Sequence, residues 1–123
     1  MPPPAPQPVV TGEIRFEPQA PPFRNATIRV RLEDVSRMDA PARVVAEQVI
    51  RGVSRSTPAA APVPFAVHSA RALDSRATYN LRAHVDLNGN GEIEVGDFIT
   101  MERFPVRPGP APARLDVLVR RVG

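Results

Sequence analysis

Residues 27–33 read Thr-Ile-Arg-Val-Arg-Leu-Glu and alternate strictly between polar and apolar side chains. Successive side chains of a β-strand point to opposite faces of a sheet, so this pattern is typical of a strand with one buried and one solvated face. We therefore expect Ile28, Val30 and Leu32 to lie in the core and the two intervening arginines to face outward.

Similar patterns on both sides of this stretch predict further strands. Residues 10–16 and 79–85 alternate in the same way, whereas residues 43–53 are rich in Val and Ile but alternate poorly, which favours a more buried strand over a short helical turn. Prolines cluster between these stretches, as expected of loops that separate short strands. The predicted strands are Val10–Phe16, Thr27–Glu33, Arg43–Val53, Val63–Val67, Tyr79–Val85, Phe98–Phe104 and Leu115–Val119.

This succession of strands predicts an all-β protein. Short strands separated by turns, without a long amphipathic helix, favour a single antiparallel β-sandwich of about seven strands, of the immunoglobulin-like or transthyretin-like kind. Residues 1–8, Met-Pro-Pro-Pro-Ala-Pro-Gln-Pro, predict an extended proline-rich linker, and residues 9–122 predict the folded domain. A chain of 123 residues suffices for one modest core.

The composition argues against several classes of function. The sequence contains no cysteine, so we expect no disulfide, thiol nucleophile or zinc ribbon. No apolar stretch approaches the roughly 20 residues of a membrane-spanning helix. All sixteen basic residues are arginines, dispersed without interleaved aromatic side chains that could stack on bases. Nucleic-acid binding is therefore not predicted, despite the net charge of +3.

Residues 86–97 read Asp-Leu-Asn-Gly-Asn-Gly-Glu-Ile-Glu-Val-Gly-Asp and have the spacing of a calcium loop. Calcium takes about six to eight oxygen ligands, and a short segment can supply them by wrapping around the ion. Gly91 stands at position 6, where such a loop turns sharply, and Asp97 closes the loop in place of the usual Glu. The predicted calcium ligands are the side chains of Asp86, Asn88, Asn90 and Asp97 and the backbone carbonyl of Glu92, with Glu94 binding directly or through water.

A plain hairpin turn is the alternative, because Asn-Gly pairs readily adopt turn conformations with positive φ. A turn explains the Asn and Gly residues, but it does not explain four carboxylates, at positions 86, 92, 94 and 97, with no basic residue among them. A bound calcium ion explains both. Since strands are predicted on both sides of the loop, the ion would stabilise a connection between strands and would not open a groove as a calcium sensor does.

Several short segments resemble a known family. The stretch 30–41, Val-Arg-Leu-Glu-Asp-Val-Ser-Arg-Met-Asp-Ala-Pro, looks like the signature of the YbaY-like lipoproteins, which are grouped with YscW-type lipoprotein chaperones, or pilotins, of type III secretion. Residues 46–48 (Ala-Glu-Gln), 62–65 (Pro-Val-Pro-Phe) and 79–83 (Tyr-Asn-Leu-Arg-Ala) follow in the order that this family would place them. The resemblance covers residues 9–122, and the loop at 86–97 resembles the dockerin type of calcium loop.

This resemblance implies a small β-sandwich protein of the bacterial envelope. Pilotins are chaperones that help an outer-membrane secretin to reach its place, so the resemblance implies a protein partner, such as an envelope or secretion component. No lipobox cysteine is present, so the sequence gives no support for membrane anchoring in this form. We expect a periplasmic, outer-membrane-associated or extracellular protein, where calcium is more available than in the cytosol.

The residues do not predict an enzyme. His68 and His84 both stand at outward strand positions without a catalytic motif around them, and no serine lies in a nucleophile elbow. Two non-enzymatic functions follow. The first is a calcium-stabilised binding or chaperone module. The second is a structural subunit that associates with itself by strand addition, using the strands near the chain ends, Val9–Phe16 and Leu115–Val122.

Overall fold

A computed structural model describes residues 8–37, 39–56 and 61–123 of the chain. The predicted linker at 1–8 lies outside the described residues except for Pro8. Within the described ranges all regular structure is strand, which agrees with the predicted all-β class. The eight strands are β1 (Val10–Phe16), β2 (Phe23–Asp34), β3 (Arg43–Arg55), β4 (Val63–Val67), β5 (Tyr79–Asp86), β6 (Phe98–Ile99), β7 (Pro105–Val106) and β8 (Ala113–Arg121).

The strands form one continuous sheet in the order β3-β2-β5-β6-β8-β1-β4, with β7 paired to β5. All the paired strands are antiparallel except β1 and β8, which run in parallel. The sheet curves until its two end strands meet, where the Ala66 amide of β4 donates a hydrogen bond of 2.8 Å to the Gln48 side chain of β3. The predicted all-β class is confirmed, and the strands form a nearly closed, barrel-like sheet that is not clearly the predicted sandwich.

The alternation of polar and apolar side chains does not distinguish a sandwich from a curved sheet. A period of two shows which face of a strand is buried, but one curved sheet buries its inner face just as a sandwich buries two facing sheets. In β2 the expected inner residues Ile28, Val30 and Leu32 are all fully buried. The prediction of the buried face was correct for this strand.

Two strand predictions also need correction. β3 is a strand, as favoured, but it lies at one end of the sheet and most of its side chains are partly or fully exposed. Its irregular alternation comes from shifts of register against β2, and not from deeper burial. The predicted strand Phe98–Phe104 contains only β6, after which the chain leaves the ladder and returns at β7.

Gly12 allows the close parallel approach of β1 and β8. It pairs with Leu115, and a Cβ atom added at Gly12 would lie 1.6 Å from the Leu115 carbonyl oxygen. No side chain fits at that distance, so the contact requires glycine. Both strands are thereby placed inside the sheet, β1 between β8 and β4 and β8 between β6 and β1.

The segment that carries the calcium-loop motif connects β5 to β6, as the sequence predicts. β5 pairs with β2 over eight residues, from Thr27–Asp86 to Asp34–Tyr79, and its last residues pair with β6. This long pairing with β2 fixes the position of Asp86, where the loop begins. It also decides which side chains of β2 lie beside the loop.

Candidate metal site

Asp86 is the last residue of β5 and the most buried carboxylate of the described chain, with no exposed surface. Its Oδ1 accepts a hydrogen bond of 3.0 Å from the Gly89 amide, and its Oδ2 accepts one of 2.7 Å from the Gly91 amide. Gly89 and Gly91 have φ values of +74° and +84°, which glycine adopts at little cost. Asp86 therefore organises the first half of the loop around its side chain.

A cation also contacts Asp86 from the neighbouring strand. The Arg29 Nη1 of β2 donates a hydrogen bond of 2.6 Å to Asp86 Oδ2, and the Arg29 side chain is only 15% exposed. Burial disfavours the charged form of Asp86, but hydrogen bonds from Gly91, Arg29 and Gly89, together with the nearby His84, outweigh it. They hold the pKa of Asp86 below its ordinary value. Asp86 is therefore a stable carboxylate.

Asp97 closes the loop immediately before β6 and is 3% exposed. Its Oδ1 accepts a hydrogen bond of 3.1 Å from the Leu87 amide, and its Oδ2 accepts one of 3.2 Å from the Glu94 amide. His84 Nε2 lies 2.8 Å from the same Oδ2. Asp97 thus contacts Leu87 near the start of the loop, Glu94 near its end and His84 of β5.

His84 is not the surface residue that the sequence predicts. It alternates with the core residues Ala83 and Val85 and so lies on the outer face of β5, as expected, but it is only 8% exposed. The loop folds back over this part of the strand and covers the imidazole. Strand periodicity shows on which face a residue lies, and it does not show whether a later loop covers that face.

The exposed part of the loop folds its polar side chains onto one another. Asn88 Oδ1 accepts a hydrogen bond of 3.2 Å from the Asn90 amide, and Asn90 Oδ1 accepts one of 3.0 Å from the Glu92 amide. The side-chain amide groups of Asn88 and Asn90 both donate to the Glu94 carboxylate. Loop positions 3, 5 and 9 are therefore close together, through contacts of the Asn88 and Asn90 amide nitrogens with the Glu94 carboxylate.

The predicted calcium ligands fall into two groups in the structure. Asp86 and Asp97 meet in the buried half, where one ligand atom of each and one of His84 lie within 4.8 Å of one another. Asn88, Asn90 and Glu94 meet in the exposed half. Carboxylate and amide oxygens are the donors that calcium prefers, and an oxygen that accepts one hydrogen bond keeps a second lone pair. The donor chemistry therefore fits calcium, and its binding remains a prediction.

Arg29 is the residue of this region that sequence reasoning missed. Residues 86–97 contain no basic residue, which favoured a metal. Arg29, 57 positions away from Asp86 in sequence, nevertheless places a guanidinium group against its carboxylate. Its outward position on β2 was visible in the alternating pattern. What the pattern could not show was that β2 lies beside β5.

One cavity among the described residues is lined by ionisable side chains, among them Arg31, Glu33 and His84, whereas a second lacks the features expected of a catalytic site. His68 is exposed just beyond β4. A cavity of about 600 Å³ is lined by Pro8, Val9, Leu73 and the proline-rich segment 108–112, and none of its lining residues is ionisable. Catalysis needs convergent ionisable or nucleophilic groups, and this cavity does not supply them.

Comparison with known proteins gives two matches. The family model of the type III secretion system lipoprotein chaperones (YscW) matches residues 5–117. A solved structure of an alternative pilotin from the type II secretion system of Vibrio cholerae is similar with a TM-score of 0.70 and 25% identity, over 93% of this chain and 96% of that chain. A comparison with curated proteins gave no match.

These matches confirm the resemblance to YscW-type chaperones and pilotins that the sequence segments predict. Neither match bears on the dockerin-like loop. Among the described residues there is also no helix of the length and apolarity needed to cross a membrane.

Proposed function

We propose that this chain, which belongs to the YscW family of type III secretion system lipoprotein chaperones, is a non-catalytic chaperone for a protein component of a bacterial secretion system. The observation that carries the proposal is the family match over most of the chain. It is supported by similarity to a pilotin over nearly the full length of both chains. The protein would act at the cell envelope, in the periplasm or at the outer membrane.

The partner of this proposed chaperone is an outer-membrane component of the secretion apparatus, such as a secretin. The non-catalytic part of the proposal rests on the chaperone family and on the similarity to a pilotin. A binding module needs surface complementarity, whereas an enzyme also needs placed acids, bases or nucleophiles.

Capture from the envelope followed by reconstitution tests this function. The tagged full chain would be cross-linked in a detergent-solubilised envelope fraction, and captured proteins would be identified by mass spectrometry. We expect an outer-membrane secretion component that also binds the purified chain in a defined stoichiometry. Capture without binding of the purified pair, or capture of cytosolic proteins alone, would contradict the proposal.

The alternative of a self-assembling structural subunit has less support from the structure than from the sequence, although β8 pairs with β6 only over its last two residues. Strand addition needs an unpaired strand edge, and the expected edges were the strands near the chain ends. β1 and β8 instead pair with each other and with further strands on their other sides. Sizing of the purified protein with calcium and with chelator distinguishes the two functions, because a calcium-dependent polymer would favour self-assembly.

We further propose that the loop binds one calcium ion and that the ion has a structural role. The ligands would be Asp86, Asn88, Asn90, Asp97 and the Glu92 carbonyl, with Glu94 bound directly or through water. Support comes from the spacing of these residues in sequence and from the convergence of Asn88, Asn90 and Glu94. Such an ion would neutralise part of the charge of four carboxylates and hold β5 and β6 in place.

A further inference from the structure

We infer that the guanidinium group of Arg29 competes with calcium for Asp86. Arg29 thereby sets the calcium affinity of the Asp86–Asp97 loop. This inference rests on the proposed calcium binding and concerns how strongly the ion binds. It gives Arg29 a role that the loop motif does not contain.

The hydrogen bonds of Asp86 carry the inference. Asp86 Oδ2 accepts from Arg29 at 2.6 Å and from the Gly91 amide at 2.7 Å, while Oδ1 accepts from the Gly89 amide at 3.0 Å. A carboxylate oxygen has two lone pairs, so Oδ2 is fully used and Oδ1 keeps one. A calcium ion that bound Asp86 through Oδ2 would have to displace either the guanidinium group or the Gly91 amide.

Burial and rigidity make this competition costly for the metal. Asp86 is fully buried and the Arg29 side chain is 15% exposed, so water screens the two charges poorly. Arg29 is held in place by the ladder between β2 and β5, where it pairs with His84. A fixed positive charge beside a divalent ion also repels that ion directly. Even where calcium uses only Oδ1, Arg29 therefore weakens its binding.

The same contact should stabilise the loop at low calcium concentrations. Arg29 neutralises the buried carboxylate at the base of the loop, and the amides of Gly89 and Gly91 remain bound to that carboxylate. Calcium would then add stability to a loop that is already folded. We therefore expect weak calcium binding by the natural chain.

The variant Arg29→Gln tests the inference, because it removes the charge and keeps a polar side chain. Its matched control is Arg31→Gln, which removes an arginine from the same face of β2 where that arginine pairs with Glu47 and is 41% exposed. Calcium chloride would be titrated into each full-length protein by calorimetry. Melting temperatures would be measured in calcium and in chelator, and magnesium chloride would serve as the competing ion.

We expect Arg29→Gln to bind calcium at least about tenfold more tightly than the natural chain, since a neighbouring positive charge has been removed. The difference between its melting temperatures in calcium and in chelator should also widen. Arg31→Gln should match the natural chain in both measurements. If Arg29→Gln is unfolded in chelator, calcium-dependent recovery of its β-sheet circular dichroism supplies the same information.

The outcomes separate this inference from the proposed calcium binding. If the natural chain binds calcium and Arg29→Gln binds it equally or more weakly, Arg29 does not compete and the inference is overturned. If only Arg29→Gln binds calcium, the inference is supported and the proposed occupancy of the natural chain is wrong. If neither protein binds calcium, both are overturned.

Discussion

The contact between β1 and β8 and the loop from Asp86 to Asp97 belong to the same sheet, yet different forces stabilise them. β1 and β8 run in parallel over seven residue pairs, with Val10, Ile14 and Val117 fully buried. At the loop, the buried side chains are those of Asp86, Asp97 and the neighbouring His84 of β5. They are joined by hydrogen bonds to backbone amides and to each other, and by the ion pair of Asp86 with Arg29.

The difference shows how each region should respond to perturbation. The β1–β8 contact depends on shape and apolar burial, which ions hardly affect. The loop depends on which cation neutralises its carboxylates, because a buried charge without a partner is costly. Changes of shape should therefore break the first region regardless of calcium, and changes of charge should alter the second in a calcium-dependent way.

The largest effect is expected for Gly12→Ala. The new Cβ would lie 1.6 Å from a backbone oxygen of β8, so the two strands must separate. We expect a loss of more than about 4 kcal/mol in the free energy of unfolding, measured by urea denaturation, which few single substitutions reach. Gly109→Ala is the control, since nothing lies within 4 Å of its added Cβ, and should change stability by less than about 0.5 kcal/mol. Equal stability of the two variants would refute the shape argument.

Asp86→Ala should have the second-largest effect. It leaves Arg29 without its carboxylate and removes the acceptor of the Gly89 and Gly91 amides. We expect a loss of about 3 kcal/mol by urea denaturation. Asp116→Ala is the matched control, because Asp116 is 48% exposed and lies 3.5 Å from Arg15, and it should cost less than about 1 kcal/mol. A cost no greater than that of the control would show that the buried ion pair does not stabilise the loop.

Removal of calcium should have a smaller effect. Calcium that binds only the folded form adds about 2.7 kcal/mol when its free concentration is a hundredfold above the dissociation constant. Chelator should therefore lower the melting temperature of the natural chain and leave that of Asp86→Ala unchanged. Superimposable melting curves of the natural chain with calcium and with chelator would contradict the calcium proposal. Gly12→Ala should remain destabilised at any calcium concentration, because the contact between β1 and β8 does not involve the loop.

The smallest effect is expected where the sheet closes. Gln48→Met keeps the length of the side chain but removes the oxygen that accepts the Ala66 amide. We expect a loss of about 1 kcal/mol and faster hydrogen exchange at Ala66, measured by nuclear magnetic resonance. Gln19→Met, at an exposed turn, should change neither quantity. Unchanged exchange at Ala66 in Gln48→Met would mean that the Gln48 side chain does not close the sheet.

The local parts of the fold were predictable from the sequence because their signals are local. The alternation in residues 27–33 correctly identified the buried face of β2, and the Asp-Leu-Asn-Gly stretch marked the turn between β5 and β6. The side chains at loop positions 3, 5 and 9 also lie close together, although calcium binding by the loop remains a prediction. In each case the interacting residues are close in sequence, so their spacing carries the information.

Several of the predictions that failed concern contacts between segments that are distant in sequence. Periodicity could not show that β1 and β8 would pair in parallel, and it therefore left strand addition at the chain ends as an alternative to pairing within the molecule. His84 was assigned to the surface because nothing in its own strand indicates that the loop covers it. The pairing of β2 with β5, and with it the contact between Arg29 and Asp86, depends on sheet register, which a strand pattern alone does not determine.

By itself, the sequence determined that the chain is built of strands, which faces of them are buried, where the oxygen-rich loop lies and which family the chain resembles. The tertiary structure was needed to show that the strands form one curved sheet and that β1 and β8 pair with each other. It also showed that Arg29 of β2 neutralises part of the negative charge of the loop. The physical reason is that side-chain periodicity is a property of one strand. Strand order, closure and charge pairing instead depend on the free energy of the whole sheet, which is set by contacts between residues far apart in sequence.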